Sequence, residues 1–150
     1  MFIQKQLADF WRDITSLGST LLYFIIVLPL FFTGKIQTAT KLTAGYILIY
    51  IIAGAIKIIY FKNRPKKENY TNFVEKIDAS AFPSIHSARA TLMAAEISKL
   101  IDGPIATSFL FITAGLVCYS RIAIKKHYWT DIIGGIILGI LTTITIGKLF

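Results

Sequence analysis

Long apolar runs separated by short polar stretches are the main feature of this chain of 150 residues. A bilayer core is about 30 Å thick, so a helix that crosses it needs roughly 20 mostly apolar residues. Four runs meet this requirement with few or no charges. They predict membrane spans over residues 14–34, 42–61, 103–121 and 129–148.

A fifth segment, residues 84–101, is less apolar than the other four. Helical spacing places its charged or polar residues His86, Arg89 and Glu96 on one side. Such a helix is stable in lipid only where this side faces other helices, which favours a buried transmembrane helix. The alternative is an amphipathic helix on the membrane surface. Arg89 could pair with Glu96 inside the bundle, or it could assist an anion site.

The N-terminal residues 1–13 predict a short interfacial helix, because Ile3, Leu7 and Phe10 can share one face. The polar connection over residues 62–82 is long for a simple loop, and such loops are often functional. We therefore predict one all-α domain over residues 1–150. It is a polytopic membrane helix bundle with about five transmembrane helices, an N-terminal interfacial helix and an active-site loop at 62–82.

Composition agrees with a membrane protein and narrows its partners. The chain is 55% hydrophobic and carries a formal net charge of +8, and its mean hydropathy is +0.64. The basic residues lie between apolar spans, so they favour lipid headgroups and phosphates over nucleic acid as partners. The single cysteine, Cys118, cannot form an internal disulfide. We expect a multi-pass protein of the cell membrane, and the sequence leaves its oligomeric state open.

Polar clusters at the ends of the predicted spans converge on one face of the membrane. Successive spans alternate in direction, so the end of the second, the start of the third, the end of the fourth and the start of the fifth share one side. The residues placed there are Lys57, Arg64, Ser84, His86, Ser120, Arg121, His127 and Asp131.

This set of side chains suits a phosphoryl group. Lysine and the planar guanidinium of arginine bind phosphate oxygens, and a helix that starts at Ser84 offers free backbone N–H groups. His127 and Asp131 are four residues apart, so the carboxylate can orient the imidazole as a nucleophile. His86 could protonate the departing oxygen.

A metal site is a weaker interpretation of the same residues. Two histidines and one aspartate could bind an ion, but the sequence has no His-x-x-x-His pattern or carboxylate pair here. Several cations crowd the same place and can neutralise the charge that a metal ion neutralises elsewhere. We therefore expect no metal and no other cofactor.

Three motifs give the chain a resemblance to a known family. It resembles the type 2 phosphatidic acid phosphatase superfamily, the membrane lipid phosphate phosphatases. The family's motifs are Lys, six residues, Arg-Pro; then Pro-Ser-Gly-His; then Ser-Arg, five residues, His, three residues, Asp. The matching residues are Lys57, Arg64-Pro65, Pro83-Ser84-Ile85-His86, Ser120-Arg121, His127 and Asp131. Order and spacing hold across all three, which makes the match specific.

The resemblance implies roles for these residues. His127 would be the nucleophile, Asp131 its partner, and His86 the general acid for the leaving group. A phosphate-binding set would comprise Lys57, Arg64, Ser84, Ile85 and Arg121, and members of the family need no metal. One position departs from the pattern, because Ile85 replaces the usual glycine. Isoleucine keeps the backbone N–H but is bulkier and avoids positive φ.

The expected activity is metal-independent hydrolysis of a lipid phosphomonoester or diphosphate through a phosphohistidine. A polyprenyl diphosphate is the preferred substrate by analogy with small microbial relatives. Phosphatidylglycerol phosphate, phosphatidate and a lipid A phosphate are alternatives. A different class, an inactive membrane protein that binds lipid phosphates, stays open. The basic residues do not decide which membrane face carries the site.

Overall fold

The computed structural model describes residues 2–150 and confirms the all-helical membrane class. The seven α-helices of these residues are α1 Phe2–Ser16, α2 Thr20–Phe32, α3 Ile36–Ile59, α4 Phe73–Ala79, α5 Ile85–Ile97, α6 Pro104–Ala123 and α7 Trp129–Leu149. A 3-10 turn, Ser98–Leu100, follows α5. Within residues 2–150, four stretches are long and apolar enough to cross a membrane: Ile3–Phe32, Ile36–Ile59, Pro104–Ala123 and Trp129–Leu149.

The boundary between the predicted interfacial helix and the first span falls inside a helix. Residues 13 and 14 both belong to α1, which ends at Ser16, while Met1 lies outside the described residues. A turn then leads to Ser19, whose hydroxyl accepts the N–H of Leu22 at 3.2 Å and caps α2. On α1, the ring of Trp11 packs against Tyr119 of α6 with 5.0 Å between ring centroids.

The short helix α5 occupies the centre of the bundle. It contacts α3, α6 and α7, and it buries Ala88 and Leu92 in the main hydrophobic core together with Leu42 of α3. Thirteen helical residues span about 20 Å, so α5 is shorter than a bilayer core. Its polar residues Arg89 and Glu96 are buried among other helices, as a helix of this composition requires.

Small residues on α7 let it approach α5 closely. A Cβ added at Gly135 would lie 2.4 Å from the backbone oxygen of Ser84, and one at Gly139 would lie 2.6 Å from the backbone oxygen of Ala88. Backbone atoms cannot move aside without moving the helix. The glycines therefore fix the distance between α7 and the start of α5, where Ser84 stands.

Gly135→Ala is expected to destabilise the protein by about 1–3 kcal/mol, the usual cost of overpacking a close contact. The measurement is thermal unfolding of the purified protein in detergent. Gly147→Ala is the matched control, because a Cβ at Gly147 meets nothing within 4 Å. Since alanine is the better helix former, the control should be neutral or slightly stabilising. Equal unfolding temperatures for the two variants would contradict the close-packing argument.

Candidate active site

One cavity of about 290 Å³ gathers most of the residues predicted for the site. It lies where α3 ends, α5 begins and α6 leads into α7. The predicted site residues that line it are Lys57, Arg64, Ile85, His86, Arg121 and His127. Tyr50, Asp78, Arg89 and Lys126 complete its wall. The remaining predicted residues, Ser84, Ser120 and Asp131, are fully buried and do not line the cavity.

His127 faces the cavity from the connection between α6 and α7. Its backbone N–H donates to the carbonyl of Arg121 at 3.2 Å, which closes the turn after α6. The side chain is buried, and its Nδ1 lies 3.8 Å from Oδ2 of Asp131. That distance is too long for a hydrogen bond, although contacts of this kind often shorten when substrate binds. With Nδ1 turned towards Asp131, Nε2 is the nitrogen left for a substrate.

Burial lowers the pKa of His127 to about 4, and the nearby charges of Arg121 and Arg64 act in the same direction. The Asp131 carboxylate opposes them, but it does not prevail. The imidazole is therefore neutral at neutral pH. A neutral imidazole has a free lone pair, which is what a nucleophile needs.

Asp131 is held by contacts other than His127. It is completely buried in the first turn of α7. Its Oδ2 accepts the backbone N–H of Tyr128 at 2.8 Å, which caps the helix, and its Oδ1 accepts from Nζ of Lys62 at 2.5 Å. Lys62 also donates to the hydroxyl of Thr130 at 2.7 Å. The carboxylate is thus fixed in place beside His127.

The cations predicted to bind phosphate differ in burial and in their bonding partners. Lys57 is buried on the last turn of α3. The Arg121 guanidinium donates to the hydroxyl of Thr15 at 3.0 Å. Arg64 pairs with Glu68, which also pairs with Lys126, so one carboxylate bridges these two cations.

At the start of α5, Ser84 is the buried N-cap residue, whereas Ile85 lines the cavity. The Ser84 hydroxyl accepts the backbone N–H of Ser87 at 3.4 Å and so caps α5. The backbone N–H of Ser84 donates to the carbonyl of Asp131 at 3.0 Å. Ile85 is the first helical residue and lines the cavity. Among the described residues, Lys125 alone has positive φ without being glycine. Ile85 therefore meets no backbone conformation that would require glycine.

Several site residues were not identified from the sequence. Lys62, which bonds Asp131, lies two positions before Arg64 inside the first motif, but the motif does not specify it. Lys126 also lines the cavity, although it is not part of any of the three motifs. Thr15 and Gly18 lie far away in sequence, yet a Cβ at Gly18 would come within 3.3 Å of Cδ2 of His86. Within residues 2–150, no three His, Cys, Asp or Glu side chains are grouped as metal ligands.

A family comparison decides what kind of protein carries this cavity. The model of the PAP2 superfamily matches residues 38–149. The chain belongs to the PAP2 superfamily. As a PAP2 protein it is a membrane phosphatase that acts on lipid phosphates, a phosphoric ester hydrolase. A comparison with curated proteins finds no match.

Two solved PAP2 structures share the fold. LpxE from Aquifex aeolicus has a TM-score of 0.79 at 25% identity. The match covers 95% of this chain and 86% of the LpxE chain. The first transmembrane PAP2-type phosphatidylglycerolphosphate phosphatase from Bacillus subtilis has a TM-score of 0.72 at 23% identity. That match covers 96% of this chain and 76% of the Bacillus protein. The family match begins after α1 and α2, whereas both structural matches extend over nearly the whole chain.

Proposed function

We propose that the protein hydrolyses a polyprenyl diphosphate through a covalent phosphohistidine at His127, without a metal ion. The observation that carries this proposal is the cavity itself. It combines a buried neutral imidazole, backed by a fixed carboxylate, with Lys57, Arg64 and Arg121 on the surrounding wall. A neutral nucleophile inside a cationic pocket suits attack on a phosphoryl group, whose negative charge the cations stabilise.

In the proposed first step, Nε2 of His127 bonds to the terminal phosphorus as the bond to the leaving oxygen breaks. The electron pair goes to that oxygen, which leaves with the lipid. Lys57, Arg64 and Arg121 neutralise the oxygens of the transferred phosphoryl group. His86 lines the same cavity and is the proposed general acid for the leaving oxygen.

In the second step, water attacks the phosphorus and breaks its bond to His127. Inorganic phosphate leaves, and the proton lost by the water passes to the histidine or to solvent. Asp131 stabilises the positive charge that the imidazole gains in the first step and loses when this bond breaks. The cations of the cavity supply the charge that Mg²⁺ supplies in other phosphoryl-transfer enzymes, which supports a metal-independent reaction.

Phosphatidylglycerol phosphate is the second candidate substrate, because the Bacillus subtilis protein of the same fold is named for it. Phosphatidate and a lipid A phosphate are the other candidate substrates, and the panel below includes both. A catalytically inactive lipid-phosphate binder is disfavoured because both histidines face the cavity and Asp131 is in place behind it.

The expected result is phosphate release in excess EDTA by the detergent-purified protein, with the highest kcat/KM for the polyprenyl diphosphate. The panel contains polyprenyl diphosphate, phosphatidylglycerol phosphate, phosphatidate and a lipid A phosphate. Brief reaction with radiolabelled substrate should also trap an acid-labile, alkali-stable phosphoenzyme. Loss of activity in EDTA with recovery on adding Mg²⁺ would refute the metal-free mechanism. Binding of the panel without turnover would favour the inactive binder.

A further inference from the structure

Arg89 is a buried cation one helical turn from His86 on α5. Its side chain is only 2% exposed. The guanidinium donates to the carbonyl of Gly18 at 2.5 Å, the hydroxyl of Thr20 at 2.6 Å and the hydroxyl of Tyr50 at 3.1 Å. All three acceptors are neutral, and Nε has no partner among the described residues.

Among residues 2–150, no carboxylate forms an ion pair with this charge. Glu96, the acidic residue on the same side of α5, is bonded by Lys99 at 2.5 Å. Across residues 2–150, Arg89 takes part in no ion pair. The rings of Tyr46 and Tyr50 lie 5.8 and 5.7 Å from its central carbon and stabilise the cation in part. A buried charge without a counter-ion is unfavourable unless a ligand supplies one.

Arg89 lines the same cavity as the two histidines. The cavity wall carries five basic side chains, Lys57, Arg64, Arg89, Arg121 and Lys126, against one carboxylate, Asp78. The family motifs account for three of the five, and Lys126 is engaged by Glu68. Arg89 is therefore a cation in excess of what one transferred phosphoryl group requires.

The direction of α5 tells which part of a substrate Arg89 would meet. The helix begins at Ile85 and runs away from the site, so Arg89 lies about 4–5 Å further along the axis than His86. His86 is the residue placed at the leaving oxygen. Tyr50, which shares the cavity wall with Arg89, is 38% exposed. The lipid-linked side of a substrate would therefore pass this pair.

We propose that Arg89 and Tyr50 form a second anion subsite, which binds the lipid-linked phosphate of a diphosphate substrate. This inference rests on the proposed function and explains its substrate class. When His127 attacks the terminal phosphorus, the bond from that phosphorus to the bridging oxygen breaks. The electron pair stays on the bridging oxygen, which becomes part of the departing polyprenyl monophosphate. Arg89 neutralises the charge that this phosphate gains.

The deciding experiment is calorimetric binding of methylenediphosphonate and of orthophosphate to the full chain in detergent. The wild-type protein should bind the diphosphonate more tightly. Arg89→Gln should weaken its binding about 30-fold, as expected for a lost hydrogen bond to a charged group, while orthophosphate affinity changes far less. Arg12→Gln removes an exposed arginine of α1 and is the matched control, which should bind both probes like wild type.

Arg89→Lys is a second, more conservative variant, which tests the subsite if Arg89→Gln does not fold. It keeps the charge but loses the guanidinium fork, so it should keep part of the preference for the diphosphonate. Equal wild-type affinity for the two probes, or equal losses for both in a folded Arg89 variant, would overturn the subsite. Turnover of farnesyl diphosphate and farnesyl monophosphate tests the proposed function separately. A diphosphonate preference that depends on Arg89, without farnesyl diphosphate hydrolysis, would retain the subsite and reject the polyprenyl substrate.

Discussion

His127→Ala is expected to abolish phosphate release while the protein still folds. The imidazole is the proposed bond-forming group, and no other side chain in the cavity can take over a covalent step from that position. Loss of a nucleophile in enzymes with coupled catalytic residues reduces kcat by roughly 10⁴–10⁶-fold. The measurements are phosphate release under saturating substrate and trapping of the phosphoenzyme, which should disappear together.

Lys125→Asn is the control for His127→Ala. Lys125 lies two residues earlier in the same connection, is exposed, and has φ of 58°, a conformation that asparagine tolerates better than most residues. This variant should retain wild-type turnover. Normal phosphate release by a folded His127→Ala protein would remove His127 as the nucleophile, and a trapped phosphoenzyme in that variant would move the covalent bond to another residue.

The pH dependence of kcat/KM provides an independent check on His127. Its pKa is depressed from an ordinary value of about 6.5 to about 4. The free base should therefore persist as the pH falls through 6, with the acid limb nearer pH 4. The same depression contributes stability that is present above pH 6.5 and is lost as the pH falls towards 4. Rates in that window must be measured on protein shown to be folded. An acid limb near 6.5 that is absent from a His86 variant would point to the other histidine.

The residues around the cavity show what sequence alone can and cannot provide. Lys57, Arg64, His86, Arg121 and His127 were placed together by motif spacing and by the alternation of helix direction, and they line one cavity. Motif spacing and helix alternation can both be read from the sequence without knowing how the helices pack. The same logic identified the apolar runs as helices of a membrane bundle.

Contacts between distant segments could not be predicted in this way. The pairing of Lys62 with Asp131 and the bond from Arg121 to Thr15 each join elements far apart in the chain. Neither has a sequence pattern, because any of several lysines or hydroxyls could have been within reach. The sequence also allowed Arg89 to pair with Glu96, whereas in the structure Lys99 takes that carboxylate. Only the packed arrangement shows that Arg89 has no acidic partner within residues 2–150.

Asp131→Asn is expected to lower kcat on the order of 10³-fold with a smaller effect on KM. In the proposed mechanism the carboxylate orients His127 and stabilises its developing positive charge, and replacing the equivalent aspartate by asparagine in Ser-His-Asp triads costs about 10⁴-fold. The fold should survive, because the asparagine oxygen can still accept the N–H of Tyr128 that Asp131 now accepts at 2.8 Å. Steady-state kinetics with thermal unfolding of the same preparation measure both effects.

Lys62→Met separates two functions of Asp131, the orientation of His127 and the stabilisation of its positive charge. Lys62 fixes the other carboxylate oxygen at 2.5 Å without contacting His127, so its loss should leave the charge beside the imidazole but less well positioned. We expect a fall in kcat of about ten-fold, much smaller than for Asp131→Asn. The double variant should be no worse than Asp131→Asn alone, because Lys62 acts through that carboxylate. Additive losses would mean that Lys62 contributes separately from Asp131.

An unchanged turnover number for folded Asp131→Asn would reduce Asp131 to a helix cap and leave His127 without a partner in the mechanism.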